Sequence, residues 1–428
     1  MQNTLPTSTL SAKGRIALFF LYDTLEPFTF VRDALCMLVE RGYTVDIYAA
    51  MSSGQRSTSL PDGISILPHP EAFVVFKDKY PRLVQLLRKG GRQYEWFMMN
   101  IYRPLARKFF FNRFLRQRHA ALPYRCVIGA DPEGLASAAP LAKMLDVPLA
   151  FWSLELLFEA EITSPGKKRL KEMENTASRE VCFAIIQDAW RGQALSEENH
   201  IPPEKLIYVP NAPRGEARRK KSDYLHRRLG IDPQRKIVLC AGMLGQWTMS
   251  AELVRAAATW PDEYVLVMQT HTPRELYWDQ SYINELVRLA DPKQVIISFD
   301  PVPGANYRDM MDSADVGLAF YATVSQKDTT QGRNVYLMGL SSGKLGGFLH
   351  SGLPVVVNDA VIGPKEMVEK WACGISVGKP EQIAAALNAI SREYDRYTAN
   401  AVHCFNQDLE LGARFETVVE RIEQLKSR

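Results

Sequence analysis

The chain has 428 residues, enough for two or three domains with sizeable cores. At 46% hydrophobic and 23% charged it has ordinary soluble globular composition, and no run reaches the roughly eighteen apolar residues that span a bilayer. The net charge of +4 hides an asymmetry: Lys77 to Arg118 carries twelve Lys/Arg against two acids, so this segment holds +10 and the rest −6.

Arg15 to Tyr22 is a short apolar run suited to a central parallel strand. A helix over Thr29 to Arg41, stopped by Gly42, and a strand over Thr44 to Ala49 complete one βαβ unit, with a further short strand over Ile64 to Leu67. A basic, aromatic segment of mostly helical pattern follows, an insertion over about 73–118. Strands are then predicted at Arg125 to Gly129, Pro148 to Trp152, Cys182 to Gln187 and Lys205 to Val209. The helices between them are Pro132 to Leu145, Lys167 to Glu180 and Ala189 to Glu198. Pro210 to Pro213 breaks the pattern and a basic linker follows. A second series then alternates strands at Lys236 to Ala241, Tyr264 to Thr270, Gln294 to Phe299, Val316 to Phe320, Leu353 to Val357 and Gly374 to Val377 with helices. It ends in a helix over Pro380 to Tyr394 and a long amphipathic helix from about Ala399. Near-continuous apolar strands alternating with helices imply parallel sheets covered on both faces. The expectation is an α/β chain of two doubly wound, Rossmann-like domains facing a cleft: residues 1–212, residues 213–400, and a C-terminal helix over 401–428 that packs back across the domains.

Within the second series, Asn334 to Asp359 reads as a polar loop, a Ser341-Ser342-Gly343 turn, a helix from Lys344 to His350 and a buried strand. A helix start on the carboxyl rim of a parallel sheet is a place for an anion, because free N–H groups and the positive dipole end point outward. Lys344 adds a point charge. The alternative is an ordinary helix start capped by serine.

The order of several motifs resembles glycosyltransferases of the GT-B fold, in particular the large retaining group 1, or family four, class. Glu40 to Val45 is similar to that family's L-x-x-R-G-H-x-V stretch. Asp131-Pro132-Glu133-Gly134 with Trp152 to Leu156 resembles its aspartate loop and Y-D-x-H-E-L. Pro202 to Ala212 resembles P-x-K-I-x-V-I-P-N-G, and Gly242-Met243-Leu244 resembles G-R-L. Ser342 to Leu345 with Ser351 to Val355 resembles P-N-K-L-x-E-Y-L-A-S-G-K-P-V-I. Three departures stand out. Gly339 and Gly347 occupy the positions of the family's two glutamates, Met243 that of the arginine, and Leu154 that of the histidine. Adjacent glycines at 346 and 347 cost roughly 1 kcal/mol each relative to alanine in a helix. Either a ligand or the other domain approaches the backbone there, or the site has drifted after loss of function.

The resemblance implies transfer of a sugar from a nucleoside diphosphate to a glycan, lipid-linked or other hydroxyl acceptor, as in polysaccharide biosynthesis. The alternative is a catalytically impaired binding or scaffold protein. The leaving diphosphate needs stabilisation, assigned here to Ser342, Gly343, Lys344 and Leu345. Gly242, Gln246 (or Thr248), Asn334 and Glu366 are placed on the donor side of the cleft. Asp131, Glu133, Glu155 and Glu159 follow first-domain strand ends, where a carboxylate can deprotonate an acceptor. Glu155 is the first choice and Asp131 the second, although Asp131 also reads as the N-cap of the following helix.

No metal or cofactor is expected. The cysteines (Cys36, Cys126, Cys182, Cys240, Cys373, Cys404) are scattered, with no ligand cluster beside them. That usage suits a reducing compartment, and the polar N-terminus lacks a signal-peptide core, so a cytoplasmic place is expected. Three readings of the 77–118 charge stay open: a solvated face of packed helices, an anionic membrane surface at the inner face of the plasma membrane, and nucleic acid. The last is disfavoured, since no recognition module accompanies the charge.

Overall fold

The computed structural model describes residues 13–22, 25, 28–49, 60–68, 111–322 and 332–425. The two predicted series form two all-parallel sheets. The first comprises β1 (Gly14–Phe20), β2 (Tyr43–Ala49), β3 (Ile64–Pro68), β4 (Tyr124–Ala130), β5 (Leu149–Trp152), β6 (Phe183–Ile186) and β7 (Leu206–Tyr208), in the order β3-β2-β1-β4-β5-β6-β7. The second comprises β8 (Lys236–Ala241), β9 (Tyr264–Gln269), β10 (Val295–Ser298), β11 (Val316–Ala319), β12 (Val355–Asn358) and β13 (Gly374–Val377), in the order β10-β9-β8-β11-β12-β13. Strand order reverses between β1 and β4 and again between β8 and β11. In open α/β sheets ligands bind outside the carboxyl ends of strands at such reversals.

Both faces of each sheet are covered, which is why the strands are apolar at nearly every position. On one face of the first sheet Ile16, Leu18 and Phe20 pack with the helix Thr29–Glu40. On the other, Ala17 and Phe19 pack with Leu135 and Leu141 of the helix Asp131–Leu145. Some helices start where a short polar side chain accepts a first-turn N–H. Ser164 accepts from Lys167, Asp188 from Arg191 at 2.9 Å and Asp279 from Tyr282 at 2.9 Å.

The C-terminal region differs from expectation. The helix Tyr394–Cys404 runs into a π-type turn at Phe405–Leu409, and a separate helix, Leu411–Gln424, follows. Phe405 and Leu409 belong to the second core, whereas Leu411, Phe415 and Val418 belong to the first. One straight helix cannot bury both sets, so the chain breaks at Glu410, whose carboxylate accepts from the Gly215 and Ala413 N–H groups at 2.7 and 2.6 Å. The crossing between domains therefore lies at Glu410, not at residue 401. The predicted helix over Pro380 to Tyr394 is likewise interrupted at Glu393.

Of the basic insertion, residues 73–110 lie outside the described residues. Its end is the helix Asn112–Ala121, held to the sheet by Arg118, whose Nε and a terminal nitrogen donate to buried Asp46 at 2.7 and 2.6 Å. Among the described residues no helix is long and apolar enough to cross a membrane.

Candidate active site

The first-domain half forms at the β1/β4 reversal. Tyr22 follows β1 and Asp131 follows β4. The Tyr22 hydroxyl donates to Asp131 Oδ2, while Asp131 Oδ1 accepts the N–H groups of Leu154 and Glu155, both at 2.8 Å. Asp131 therefore does not cap its own helix, contrary to one of the two sequence readings; it orders the turn after β5. It adopts φ +57°, a left-handed conformation that costs an aspartate roughly 1–3 kcal/mol and persists because three hydrogen bonds impose it. Burial, then the charge of Glu155, push its carboxyl up to about 7, against the donors that favour the anion.

Glu155 is half-buried and lines two cavities. One, of about 350 Å³, is walled by Tyr22, Asp131, Glu133 and Lys167 of the first domain. The other, of about 190 Å³, lies between the domains and is walled by Met243, Gln246, Trp247, Trp278 and Asn334. Burial raises the Glu155 carboxyl above its ordinary range; the Arg191 charge and the Asn334 hydrogen bond act against that rise. Glu133 is engaged by Lys167 at 3.1 Å, and Glu159 is exposed in a 3₁₀ turn outside both cavities.

The second-domain half forms at the β8/β11 reversal. The helix Gly343–His350 starts as expected, but Ser342 takes the capping role: its Oγ accepts from Leu345 N–H at 3.3 Å and shares a short hydrogen bond with Tyr321. Leu345 is thereby removed from the predicted diphosphate set, since its N–H is engaged and its side chain lies in the core. Gly343 and Lys344 remain, with first-turn N–H groups outside the helix's own ladder. The Lys344 ammonium is buried, has no hydrogen-bond partner among the described residues, and lies 5.0 Å above the Tyr321 ring. Its chain passes Gly242, where a built Cβ would lie 3.8 Å from Lys344 Cε. Gln246 is exposed on the cleft wall. Thr248 is fully buried and bonded to Gly245 and Ser250, so it cannot donate into the cleft.

Two further residues expected on the donor side make contacts across the domain interface, Asn334 while lining the cavity between the domains. Asn334 turns its amide to the first domain: Oδ1 accepts from Leu156 N–H at 2.9 Å and Nδ2 donates to Glu155 Oε2. Glu366 lies beyond the first turn of the helix Ile362–Trp371 and accepts from the Trp190 indole at 3.0 Å, outside both cavities. Sequence reading missed four residues here: Tyr22, Asp188, Arg191 and Tyr321. Tyr22 and Tyr321 could have been found as the polar residues just beyond β1 and β11. Arg191 had no local signal; it is buried and donates to Gln187 Oε1 at 2.6 Å, Leu154 O at 2.8 Å and Asn334 O at 3.4 Å.

The structure gives a physical reason for glycine at positions 339 and 346. A Cβ at Gly339 would meet Asp188 Oδ2 at 2.4 Å, so a glutamate there is incompatible with this interface. Asp188 also accepts from Leu340 N–H at 2.9 Å. At Gly346 a Cβ would come within 3.0 Å of the Asn211 carbonyl of the linker. At Gly347 the nearest polar atom is the Tyr307 hydroxyl, 3.5 Å from a built Cβ.

Among the described residues no group of three or more His, Cys, Asp or Glu side chains is placed to hold a metal ion. Two parallel-sheet domains with a cleft between their switch points are the architecture of GT-B glycosyltransferases. Residues 306–422 match the family model described as glucosyltransferase 3-like, C-terminal domain. No curated protein sequence matches the chain. Among solved structures the chain is similar to HepE of Anabaena in complex with UDP and glucose, with TM-score 0.64, 16% identity, and 96% of this chain and 100% of that one covered. It is similar to sucrose-phosphate synthase of Thermosynechococcus elongatus, with TM-score 0.66, 13% identity and 96% and 99% covered. A third is WaaG, a glycosyltransferase involved in lipopolysaccharide biosynthesis, with TM-score 0.61, 14% identity and 96% and 100% covered. The likenesses establish the GT-B fold over nearly the whole chain. The family match places a glucosyltransferase-type domain at residues 306–422 of that fold.

Proposed function

We propose that the protein transfers a glycosyl group from a nucleoside diphosphate sugar to a hydroxyl acceptor, with UDP as the first nucleotide to test. The observation that carries this reading is the Lys344 ammonium, buried without a hydrogen-bond partner among the described residues at the switch point of the second sheet. An isolated buried cation is costly unless an anion joins it. The anion in this reading is the donor diphosphate, held by Lys344 and the Gly343 and Lys344 N–H groups. The acceptor enters from the Tyr22–Asp131 cavity, and Glu155, shared by both cavities, takes its proton. The acceptor oxygen then bonds to the anomeric carbon as the bond from that carbon to the phosphate oxygen breaks, and the diphosphate leaves with its charge against Lys344. HepE, crystallised with UDP-glucose, supports a uridine nucleotide as the leaving group.

A thermal-shift series with UDP, GDP, ADP and the matching nucleosides tests the reading. One diphosphate at a hundredfold excess over its Kd should stabilise the protein by about 2.7 kcal/mol, and its nucleoside far less. Absence of a shift with all three diphosphates would overturn it. Hydrolysis of the matching nucleotide sugar without acceptor separates an enzyme from a binding or scaffold protein.

The acceptor in this reading is a glycan or lipid-linked sugar, and the +10 segment over Lys77 to Arg118 supports a lipid surface beside it. Vesicles containing phosphatidylserine should float the protein at low salt and release it at high salt. Equal flotation with neutral vesicles would remove the electrostatic argument.

A further inference from the structure

Asn334 is the point where the two halves of the cleft meet. It comes from the second domain, in the short helix Arg333–Tyr336, and is 2% exposed. Each end of its amide is spent on the first domain. Oδ1 holds the Leu156 backbone N–H at 2.9 Å, and Nδ2 donates to the carboxylate of Glu155. Its own carbonyl accepts from Arg191, whose other terminal nitrogen holds the Leu154 carbonyl at 2.8 Å. The backbone on both sides of Glu155 is thus gripped by one amide and one guanidinium, and the carboxylate is turned toward that amide.

Neighbouring contacts keep Asn334 in place. Arg333 N–H donates to Glu161 at 2.8 Å and its guanidinium lies 4.6 Å over the Phe158 ring. Six residues on, the Leu340 N–H is held by Asp188. Leu337 lies within the first-domain core. The segment from Gly332 to Leu340 belongs by sequence to the second domain and packs on both: Val335 lies in the second-domain core and Leu337 in the first-domain core.

We propose that Asn334 is the positioning residue for Glu155: a second-domain amide that orients the acceptor-side carboxylate and keeps it charged, so that the base is assembled only when the domains are joined. The inference rests on the reading of Glu155 as the base. The charged and titratable groups around Glu155 are Asp131 from the helix after β4, Tyr22 from the end of β1, and Arg191 from the helix Ala189–Asn199. Glu133 and Lys167 complete the shared cavity. Of the groups facing Glu155, Arg191 and the Asn334 amide favour its anion, and Asn334 is the one supplied by the other domain.

Two variants test this. Asn334→Ala removes both amide contacts. Asn334→Asp keeps the shape and the acceptor for Leu156 but replaces the donor facing Glu155 with a like charge. Loss of the donor favours protonated Glu155, so the acid limb of the kcat–pH profile should move to higher pH in Asn334→Ala and further in Asn334→Asp. At neutral pH kcat should fall roughly tenfold or more while UDP affinity by calorimetry stays within about twofold. A second readout, independent of turnover, is the ¹³C carboxyl titration of Glu155, assigned by its loss in Glu155→Gln. An upward midpoint shift in both variants supports the proposal. An unmoved midpoint, or a loss of UDP affinity as large as the loss of kcat, overturns it. If Glu155→Gln turns over at the wild-type rate, the base assignment fails instead, and the carboxyl titration still reports whether Asn334 governs that carboxylate.

Discussion

Glu155→Gln is expected to lower kcat by roughly 10²–10⁴-fold, the usual worth of a positioned general base, with UDP affinity unchanged. Fold disruption should not confuse the result. Glutamine has the same shape, its amide oxygen can still accept from Asn334, and the Asp131 contact is to the backbone N–H of residue 155. Wild-type activity requires the anion, so it falls as pH drops through a carboxyl that burial has raised. Asp131, pushed up to about 7 in part by the Glu155 charge, titrates with it, so the acid limb belongs to the pair. In Glu155→Gln that limb should disappear from the residual rate, and Asp131 should titrate below its wild-type midpoint. Stability carries the same signature. Between the ordinary aspartate value of 3.8 and about 7, folded Asp131 holds a proton that the unfolded chain has released, so its contribution to stability falls as pH rises through that window. Glu155→Gln should shallow that fall, as read by urea denaturation at pH 5 and pH 8. A variant with wild-type kcat would remove Glu155 from the chemistry.

Lys344→Ala should cost about 1.5–3 kcal/mol of diphosphate affinity, the worth of hydrogen bonds to charged groups, and so roughly ten- to a hundredfold in the Kd for UDP. Affinity for uridine should be nearly unchanged, because the ammonium is assigned to the phosphates alone. Calorimetry with the two ligands separates the terms, and equal losses for both would refute the assignment. The ligand-free protein should respond in the opposite direction. Removing a buried cation that has no hydrogen-bond partner among the described residues relieves a desolvation cost, offset in part by the loss of the Tyr321 ring contact. Lys344→Met, which keeps the volume, is therefore expected to melt at or above the wild-type temperature without ligand and to gain far less from UDP. A large drop in the ligand-free melting temperature would mean that Lys344 is a structural residue.

Much of the fold was legible because its causes are local. Runs such as Ile237 to Ala241 and Val355 to Val357 are apolar at every position, which only strands buried on both faces require. The breaks at Gly42 and Pro210 to Pro213 are conformational properties of single residues. The C-terminal region was misread where local pattern and packing conflict. The stretch from Ala399 to the end keeps helical periodicity, yet Phe405 and Leu411 serve different cores, and periodicity does not say which core a face will meet.

The site divides along the same line. Sequence by itself determined the two parallel-sheet domains, the helix start at Ser342 to Lys344 on a strand rim, and the carboxylates after β4 and β5, because each depends on residues adjacent in the chain. Only the tertiary structure decided which of these groups meet. Asp131 turned from helix cap to anchor of the Glu155 turn, and Asn334, while lining the cavity between the domains, became partner of that carboxylate. Leu345 and Thr248 were withdrawn into internal hydrogen bonds, and Gly339 proved to be the point where Asp188 of the other domain arrives. These outcomes depend on contacts such as Glu155 with Asn334, 179 positions apart, which the packing of two independently formed sheets sets and no local pattern encodes.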